Sequence, residues 1–419
     1  MIYTASATAW HPYPPEPKPT LELRTDNWMA PSKDTYFFCD LHADADAFLR
    51  SLKLSHLVTR DSTVERIALT TKGQCGQIII GGDCFDKGPS NLALLRLIGQ
   101  LQQAECDLIL LAGNHDIRIY AGLLATDFMD DLRQSHFFVR MGRKTASLFA
   151  EIHHQYGHLA ENPGLAESEI LKRLFPKKDW FAFFPDYAHQ TMTAAKIDKE
   201  MQQIRKKQQD FLQACAELGM DLQQVYQAVT LAKQLFLNPE GEFAWFFQSL
   251  DLVHLAGSYC FCHAGLDDRF AEKLVKEGAA SLNQAFRTQM REGRIFEIYY
   301  SEFGNVFRTK YRENDWPLTD SGSERLRAHH IYALVNGHRS HQQGQQLFLR
   351  QGLLNFECDT KLNANCRRKS NLQTPGEAVT IFYASGLVSA LSSDFPVTKQ
   401  FHPRQLQLDE SIHTDRSRR

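Results

Sequence analysis

Residues 77–88 read QIIIGGDCFDKG, in which a short apolar run leads directly into two glycines and then Asp83 and Asp86. A continuous apolar run of this length, bounded by glycines, is typical of a strand buried on both faces. Ligands of open α/β sheets gather at the carboxyl ends of such strands. The stretch therefore predicts a buried strand that carries two carboxylates into a site.

The same arrangement recurs on both sides of this stretch. Apolar runs also precede polar residues near positions 36–39, 108–111, 259–262 and 331–335. Helical periodicity at 45–54 and 90–103 separates the first of these runs, and that alternation predicts a largely parallel sheet. The short apolar runs after residue 345 predict further antiparallel strands, which we expect to supply a second sheet. The polar side chains that follow the runs are Asp40, His42, Asp83, Asn114, His115, His263 and His338.

Carboxylate, amide and imidazole donors in this combination suit a pair of adjacent divalent cations. Such a pair is a chemical device for hydrolysing phosphate esters. Imidazole and carboxylate ligands suit Mn²⁺, Fe²⁺ and Zn²⁺, and the mixture does not select one of them. We take Mn²⁺ as the leading expectation for both ions.

Five short motifs in a fixed order resemble those of the metallophosphoesterase superfamily, and most closely its phosphoprotein phosphatase branch. That branch has D-x-H, G-D-x-x-D-R-G, G-N-H-E, H-G-G and a later G-H or A-H. The resemblance runs from about Thr35 to Gly386, apart from a long middle stretch. It implies an α/β fold, the calcineurin-like four-layer α/β/β/α sandwich. The matching segments here are 40–42, 82–88, 113–116, 263–265 and 337–338.

The resemblance also implies roles for individual residues. The first metal site matches Asp40, His42 and Asp83, and the second matches Asp83, Asn114, His263 and His338, so that Asp83 would bridge the two ions. A hydroxide bridging the ions would attack phosphorus. His115 matches the general acid that protonates the leaving group, and Asp86 matches the carboxylate that orients it.

Cationic groups are also expected around the phosphate. Lys87 stands where the family has an arginine, and a lysine offers a point charge instead of a bidentate fork. The second phosphate ligand of the family is an arginine between the last two metal histidines. Arg308 is our candidate for it, with Arg312 and Arg339 as rivals.

Length and composition limit the alternatives. The chain has 419 residues and a formal net charge of −2, which does not favour a nucleic-acid partner. Its longest apolar runs fall short of the ~20 residues that cross a bilayer. The N-terminal residues carry no basic start and no apolar core, so a Sec signal peptide is not expected. Nine cysteines without a C-x-x-C pair indicate reduced thiols and a cytoplasmic location.

The pattern divides the chain into five parts. Residues 1–33 are expected to form a proline-rich arm and 396–419 a polar tail. The catalytic core would be split into 34–129 and 238–395. Residues 130–237 would form a mostly helical insertion, with a helical hairpin at about 194–236.

Two interpretations of the hairpin stay open, a solvated decoration and an arm for substrate docking or dimerisation. None of its residues falls at a metal or acid position, so we expect it to lie outside the catalytic centre. An insertion of this kind on such a core is similar, more loosely, to the Wip-type phosphatase effectors of Legionella. That second resemblance implies delivery into a host cell and a preference for phosphotyrosine.

The leading expectation is therefore a metal-dependent protein phosphatase with a phosphoprotein substrate, phosphotyrosine being slightly favoured over phosphoserine and phosphothreonine. A symmetrical dinucleoside tetraphosphatase shares the same metal motifs. A catalytically inactive binding module on this fold is the third hypothesis. The complete ligand set, together with His115 and Asp86, argues against the last.

Overall fold

The computed structural model describes residues 27–162, 164–189 and 192–403. Its strands form two sheets. In chain order they are β1 (Thr35–Phe38), β2 (Gln77–Ile80), β3 (Asp107–Leu111), β4 (Leu250–Asp251), β5 (Val253–Ala256), β6 (Tyr259–Cys262), β7 (Ala333–Asn336), β8 (Gln346–Arg350), β9 (Leu353–Glu357), β10 (Ala378–Phe382), β11 (Val388–Ser392) and β12 (Lys399–Phe401).

The α-helices lie mainly between and around these strands. In chain order they are α1 (Ala45–Leu54), α2 (Thr71–Cys75), α3 (Asn91–Gln103), α4 (Asn114–Ala125), α5 (Phe137–Met141), α6 (Ala146–Tyr156), α7 (Glu167–Leu174), α8 (Lys178–Ala188), α9 (Ala194–Glu217), α10 (Leu222–Phe236), α11 (Ala244–Gln248), α12 (Asp268–Glu277), α13 (Ala279–Arg291), α14 (Ile295–Tyr300), α15 (Glu302–Val306), α16 (Asp320–Ala328) and α17 (Ala364–Lys369).

The first sheet has the order β12-β11-β10-β1-β2-β3-β4, and β1 to β4 run parallel as the sequence predicts. The expectation that β10 and β11 belong to the second sheet is wrong. They pair antiparallel at the edge of β1 that β2 leaves free, with Phe382 opposite Thr35. A hairpin can join an open edge without a crossover helix, and local sequence does not indicate which edge it chooses.

The second sheet has the order β5-β6-β7-β9-β8, with β6, β7 and β9 parallel and the two edge strands antiparallel. Aromatic side chains fill the space between the sheets. Phe37 of β1 packs on Phe261 of β6, with ring centroids 5.6 Å apart, and Phe261 lies 5.1 Å from Phe382 of β10. Alternate residues of each strand face the outer helices instead. The expected four-layer α/β/β/α sandwich is confirmed.

The two helices of the hairpin have clear end signals. Thr193 caps α9, and Asp221 forms a capping box with Gln224 at the start of α10. Gly219 lies between the helices with a φ of +77°, a backbone conformation that glycine adopts without strain.

The hairpin packs into the main core instead of projecting from it. Phe211 of α9 is buried against Phe138 and Phe149. Phe236 of α10 packs on Phe85, which lies between Asp83 and Asp86, with ring centroids 5.7 Å apart. Buried aromatic side chains contribute on the order of 1.5–3 kcal/mol each. The hairpin is therefore part of what holds the site-forming loops.

The chain ends extend the sandwich where they are described. Trp28 stacks on Tyr332, and Met29 exchanges backbone and side-chain hydrogen bonds with Ser258. At the other end, β12 pairs with β11 inside the segment expected to be a tail. Residues 1–26 and 404–419, which hold most of the expected arm and tail, lie outside the described residues. Over the described part of the chain, no helix combines the length and the apolar character needed to cross a membrane.

Candidate metal centre and the adjoining cavity

The predicted metal ligands lie in five loops that leave neighbouring strands at one end of the sandwich. These loops follow β1, β2, β3, β6 and β7, so the carboxyl ends of parallel strands converge as the sequence predicts. The ligand-bearing loops also bond directly to one another. Asp40 N–H donates to Gly82 O at 3.1 Å, and His42 N–H donates to Asp83 O at 2.9 Å.

Several of these residues adopt a left-handed backbone conformation. The φ angles are +53° at Asp40, +44° at His42, +57° at Asp83 and +65° at His338. Residues other than glycine rarely adopt such angles, and when they do they cluster at functional sites, because the surrounding structure must hold the strain. The loops are thus fixed in shapes that the chain would not choose locally.

Two glycines allow the loops to approach each other closely. A Cβ on Gly113 would lie 2.0 Å from Asp83 N, and a Cβ on Gly337 would lie 2.0 Å from the Oδ2 of Asp40. Any side chain at either position would push a candidate ligand out of place. The glycines of the third and fifth motifs thus bring the ligands within reach of each other.

Asp83 lies at the middle of the ligand set. Its Oδ2 is 3.6 Å from His42 Nε2, and its Oδ1 is 3.4 Å from His263 Nε2. Two groups of potential metal ligands share this one carboxylate: Asp83 with His42 and His115, and Asp83 with His263 and His338, with the ligand atoms of each group within 4.8 Å of one another. Asp83 is therefore placed to serve two cations at once.

The remaining two candidates lie beside these groups. Asp40 Oδ1 is 3.8 Å from His42 Nε2, and Asn114 Oδ1 is 3.4 Å from His263 Nε2. All six residues predicted as metal ligands are thus brought together around Asp83. They are also buried, apart from the half-buried His338.

The histidine rings are oriented by the backbone. His42 Nδ1 donates to Phe85 O at 3.0 Å, and His263 Nδ1 donates to Gly81 O at 2.7 Å. Each bond puts the ring proton on Nδ1 and leaves the lone pair on Nε2, the nitrogen that faces Asp83. On His42, Lys87 Nζ contacts that nitrogen, in the position a cation would take. His338 Nε2 is buried and has no hydrogen-bond partner among the described residues. A buried orphan of this kind fits a metal-binding nitrogen.

The electrostatics of the site favour neutral imidazoles beside charged carboxylate. Burial, with Lys87 nearby, holds the pKa of His42 well below its usual value, and burial with His263 nearby does the same for His338. Burial opposes ionisation of Asp83, but His263, His115 and His42 hold its pKa well below the usual range. Burial and Asp83 raise the pKa of Asp40 to about 7. Neutral imidazole and ionised carboxylate are the forms that bind cations. His42, His338 and Asp83 favour these forms, and a cation bound beside Asp40 would displace the proton that its raised pKa favours.

His115 and Asp86 form a second functional pair at the same end. His115 Nδ1 bonds to Asp86 Oδ2 at 2.6 Å, while the backbone N–H of His115 donates to Asp83 Oδ1 at 2.8 Å. Thr145 supports the other oxygen of Asp86. Burial lowers the pKa of His115, while Asp83 and Asp86 oppose that shift. His115 Nε2 therefore faces the ligand cluster with its tautomer fixed by Asp86.

Asp116 joins two of the loops, a role that the motif comparison did not show. Its carboxylate accepts the backbone N–H groups of Asp83 and Cys84, each at 2.8 Å, and of Gly113 at 2.9 Å. A fully buried carboxylate with three backbone donors is a rigid brace. Asp116 therefore holds the loop after β2 against the loop after β3.

The candidate phosphate ligands occupy different surroundings. Lys87 Nζ lies against His42 Nε2, inside the ligand cluster. Arg308 faces the open space beside Asn114 and His338, anchored by bonds from Nε to Gly304 O at 3.0 Å and from its Nη2 to Tyr299 O. Arg339 is instead held by Glu357 and by Ala264 O, behind the ligands. Arg308 is thus better placed than Arg339 to meet a substrate.

A cavity of about 330 Å³ adjoins the ligand cluster, and we call it the cationic cavity. Asn114, His338 and residues of α9 all contribute to its lining. Among the described residues, its lining holds seven basic side chains against two acidic ones, Glu200 and Asp315. The basic residues are Arg118, Arg140, Lys196, Lys199, Arg308, Lys310 and Arg312.

Tyr299 organises the inner part of the cationic cavity. The guanidinium of Arg308 lies 4.0 Å from the Tyr299 ring centroid, and Arg140 donates to its hydroxyl at 3.2 Å. Arg118 also bonds to Tyr299. Burial opposes ionisation of Tyr299, but the three arginines hold its pKa well below the usual value. Three guanidiniums around one side chain form a strong anion-attracting centre.

That the hairpin lies outside the catalytic centre stays a prediction, but α9 lines the cavity that adjoins the candidate ligands. Lys196, Lys199, Glu200 and Gln203 line the same cavity as Asn114 and His338. Sequence comparison missed them because none belongs to a motif. Their spacing of three, four and seven residues did mark one face of the helix, but only the tertiary fold shows what that face meets.

No family model matches the chain, and no curated protein matches it. Three solved structures align with most of this chain at low sequence identity. A cold-active protein tyrosine phosphatase is 12% identical, covers 90% of this chain and 83% of its own, and has a TM-score of 0.46. A cold-active protein-tyrosine phosphatase of a psychrophilic Shewanella is 11% identical over 89% and 83%, with a TM-score of 0.45. A protein serine/threonine phosphatase from Saccharomyces cerevisiae is 11% identical over 89% and 80%, with a TM-score of 0.34. These values are too low to carry a functional argument.

Proposed function

We propose that this protein is a metal-dependent phosphatase that hydrolyses phosphomonoesters on proteins. One observation carries the proposal. Asp83 lies beside His42 on one side and beside His263 and His338 on the other, and the His115–Asp86 pair adjoins it. A shared carboxylate with an adjacent acid pair supplies what phosphoester hydrolysis requires.

The metal ligands would be Asp40, His42, Asp83, Asn114, His263 and His338, with Mn²⁺ preferred and Fe or Zn as alternatives. Two divalent cations, when bound there, supply charge that polarises the phosphoryl group and lowers the pKa of water.

His115 would deliver a proton to the leaving oxygen. Asp86 holds the ring through Nδ1, so Nε2 is the nitrogen that carries the proton. Burial lowers the pKa of His115 in the free protein, but a phosphate dianion beside the ring adds negative charge that favours the imidazolium. His115 would therefore be protonated when the substrate is bound.

Arg308 would hold the phosphate, as expected, and Arg118 joins it as a residue that the motifs did not identify. Arg118 lies four residues after Asn114 on α4, on the same face of the helix, and lines the cationic cavity. Lys87 contacts His42, so its charge would act on the ligand cluster and the phosphate together.

An aromatic pocket beside the cationic cavity supports a preference for phosphotyrosine. Its aromatic lining is Tyr187, Phe296, Tyr300 and Trp316, and Arg269, Glu297 and Ser301 complete it. It shares Tyr300, Ser301 and Trp316 with the cationic cavity. A phenyl ring buried there would gain roughly 25 cal/mol per Å² of apolar area. Phosphotyrosine is therefore proposed to bind somewhat better than phosphoserine or phosphothreonine.

The same aromatic pocket is the one observation that favours a symmetrical dinucleoside tetraphosphatase, because an adenine could stack there. His115 weighs against it. An alkoxide or phenoxide leaving group needs a proton, whereas a phosphate leaving group is already stable near neutral pH. A dedicated acid pair thus fits a monoester better than an anhydride.

The test compares three substrates with the purified, Mn²⁺-loaded protein: matched phosphotyrosine and phosphoserine peptides, and diadenosine tetraphosphate. We expect hydrolysis of both peptides, with a higher kcat/KM for phosphotyrosine. Preference for phosphoserine would contradict the tyrosine assignment alone. Preference for diadenosine tetraphosphate over both peptides would contradict the protein substrate, and a chain that binds no metal would be an inactive binding module.

Two further roles stay predictions. The hairpin as a dimerisation arm predicts a dimer in sedimentation experiments. Delivery into a host cell, which the looser resemblance implies, predicts translocation of a reporter fused to the chain.

A further inference from the structure

The cationic cavity carries more positive charge than one phosphate group needs. Arg118 and Arg308 suffice for a dianion that also contacts two divalent cations. Glu200 lies 2.7 Å from Arg140 and 3.7 Å from Lys207, so it balances charge on the inner side only. Among the described residues, no ion pair holds the outer basic side chains, and Asp315 is the acidic side chain that lines the cavity beside them. These basic side chains are Lys196, Lys199, Lys310 and Arg312.

The outer basic residues come from two separate elements that line the same cavity. Lys196 and Lys199 lie on one face of α9, three residues apart. Arg312 lies in the loop after α15, where the carboxylate of Asp315 accepts the backbone N–H groups of Arg312 and Lys310 at 3.1 Å and 2.9 Å. Asp315 therefore shapes this loop through its backbone.

The charges are close enough to influence one another. Burial, with Arg308 nearby, lowers the pKa of Lys196, while Asp315 raises it. Placing like charges around a shared cavity is unfavourable unless an anion joins them. The clustered basic side chains therefore favour binding of an anion, next to the place where the reacting phosphate would bind.

We propose that Lys196, Lys199 and Arg312 form a subsite for a second anionic group on the same phosphopeptide, a carboxylate or a second phosphate near the phosphorylated residue. This inference rests on the proposed function, since it places the reacting phosphate at Asn114 and His338. It makes the hairpin a specificity element. The protein then selects acidic phosphorylated segments over neutral ones.

The test uses four probes with the Mn²⁺-loaded full chain: p-nitrophenyl phosphate, and three phosphotyrosine peptides flanked by Gln, by Glu or by phosphoserine. We expect kcat/KM to be about tenfold higher for the acidic peptides than for the Gln peptide, the effect of one or two screened charge pairs. The higher value of the two acidic peptides identifies the preferred anion. In the unmodified protein, the ratio of kcat/KM for the acidic peptides to kcat/KM for the Gln peptide should fall toward one at about 0.5 M salt. Added ions screen exposed charges.

The double variant Lys196→Gln, Lys199→Gln should lose most of the acidic preference. Lys206→Gln is the matched control, because Lys206 is an exposed lysine of the same helix that does not line the cavity, and it should keep the full preference. Binding of non-hydrolysable phosphonate versions of the peptides, measured by calorimetry, should follow the same order.

The outcomes separate this inference from the proposed function. Hydrolysis of p-nitrophenyl phosphate with equal kcat/KM for the Gln, Glu and phosphoserine peptides would overturn the subsite and leave the phosphatase in place. Failure to hydrolyse any of the four probes would overturn the proposed function. Equal affinity for the phosphonate peptides would then overturn the subsite as well.

Discussion

The ligand cluster around Asp83 and the cationic cavity beside it are built in opposite ways. The cluster consists of short loops that leave buried strands, held in left-handed backbone conformations and braced by Asp116. The cavity consists of side chains from well-separated helices, gathered around Tyr299. Rigidity in the first comes from the backbone, whereas in the second it comes from contacts between side chains.

This difference implies a division of labour. Backbone-fixed ligands suit metal chemistry, because coordination tolerates little displacement of a ligand. Side chains on a helix face can change one at a time without disturbing that centre. Substitutions in the cluster should therefore abolish the reaction, whereas substitutions in the cavity should alter which substrate reacts and how tightly it binds.

The largest effect should come from Asp83→Asn, because this carboxylate is the only one shared by the two ligand groups. Metal content should fall at both sites, and the loss in kcat/KM on p-nitrophenyl phosphate should exceed the ~10²–10⁴-fold that a single general acid contributes. Elemental analysis and steady-state kinetics measure the two effects. Asp61→Asn, at an exposed position, is the control. A variant that keeps its full metal content and full activity would contradict the role of Asp83 as the shared metal ligand.

His115→Asn should lower turnover by about 10²–10⁴-fold without changing metal content. The loss should be smaller for p-nitrophenyl phosphate than for an alkyl phosphate, because a good leaving group needs less protonation. Comparing kcat for the two esters decides this, with the exposed His158→Asn as control. Equal losses for both esters would assign His115 a supporting role instead of an acid role.

Glu357→Gln tests the layer behind the ligands. The Glu357 carboxylate bonds to Arg339 and to His341 Nε2, and breaking a buried charge pair costs about 3–5 kcal/mol in the free energy of unfolding. The exposed Glu324→Gln should change it by less than about 0.5 kcal/mol. Denaturant unfolding at pH 7 measures both, and a similar small change for Glu357→Gln would contradict the account.

The same pair predicts a pH dependence. Burial opposes ionisation of Glu357, but Arg339, His341 and Arg350 lower its pKa from 4.5 to about 2. A lowered pKa stabilises the fold above the unfolded value and ceases to do so as the pH falls through the folded value. The stability difference between the wild type and Glu357→Gln should therefore shrink between pH 4.5 and 2. A stability difference that stays constant over that pH range would contradict the lowered pKa of Glu357.

The smallest effect should come from Tyr299→Phe in the cavity. It removes the hydroxyl that Arg140 contacts but keeps the ring beneath Arg308. We expect about a tenfold loss in kcat/KM, mainly through KM, with metal content unchanged. Tyr226→Phe, which loses a comparable bond to Arg173 at the surface, should leave the kinetics as they are. A loss of metal in Tyr299→Phe would show that the two regions are not independent.

The same contrast explains which features the sequence could predict. Asp83, Asn114 and His263 each follow a buried strand within a few residues. The apolar run predicts the strand, and the place of each residue after that run predicts that it lies in the site. Arg118 was also within reach, since it lies one helical turn after Asn114. The Arg140–Tyr299 contact joins residues 159 positions apart, and no local pattern encodes such a contact.

The same limit applies to the fold. Nine strands were predictable from apolar runs, and the junction of the hairpin helices from Gly219 and Asp221. The runs at β4, β5 and β12 are too short or too polar to indicate a strand. The attachment of β10 to β1 could not be predicted, because the sequence of a strand does not indicate which other strand pairs with its free edge. The packing of α9 over the site was hidden in the same way, since a helix face becomes informative only when its neighbour is known.

The central claim is that two divalent cations at Asp83 carry the reaction, and one measurement tests it directly. Hydrolysis of p-nitrophenyl phosphate is followed while Mn²⁺ is removed by exhaustive chelation and then titrated back to the same sample. The account predicts that activity disappears and returns as about two Mn²⁺ bind per chain. Full activity in the metal-free protein would contradict it.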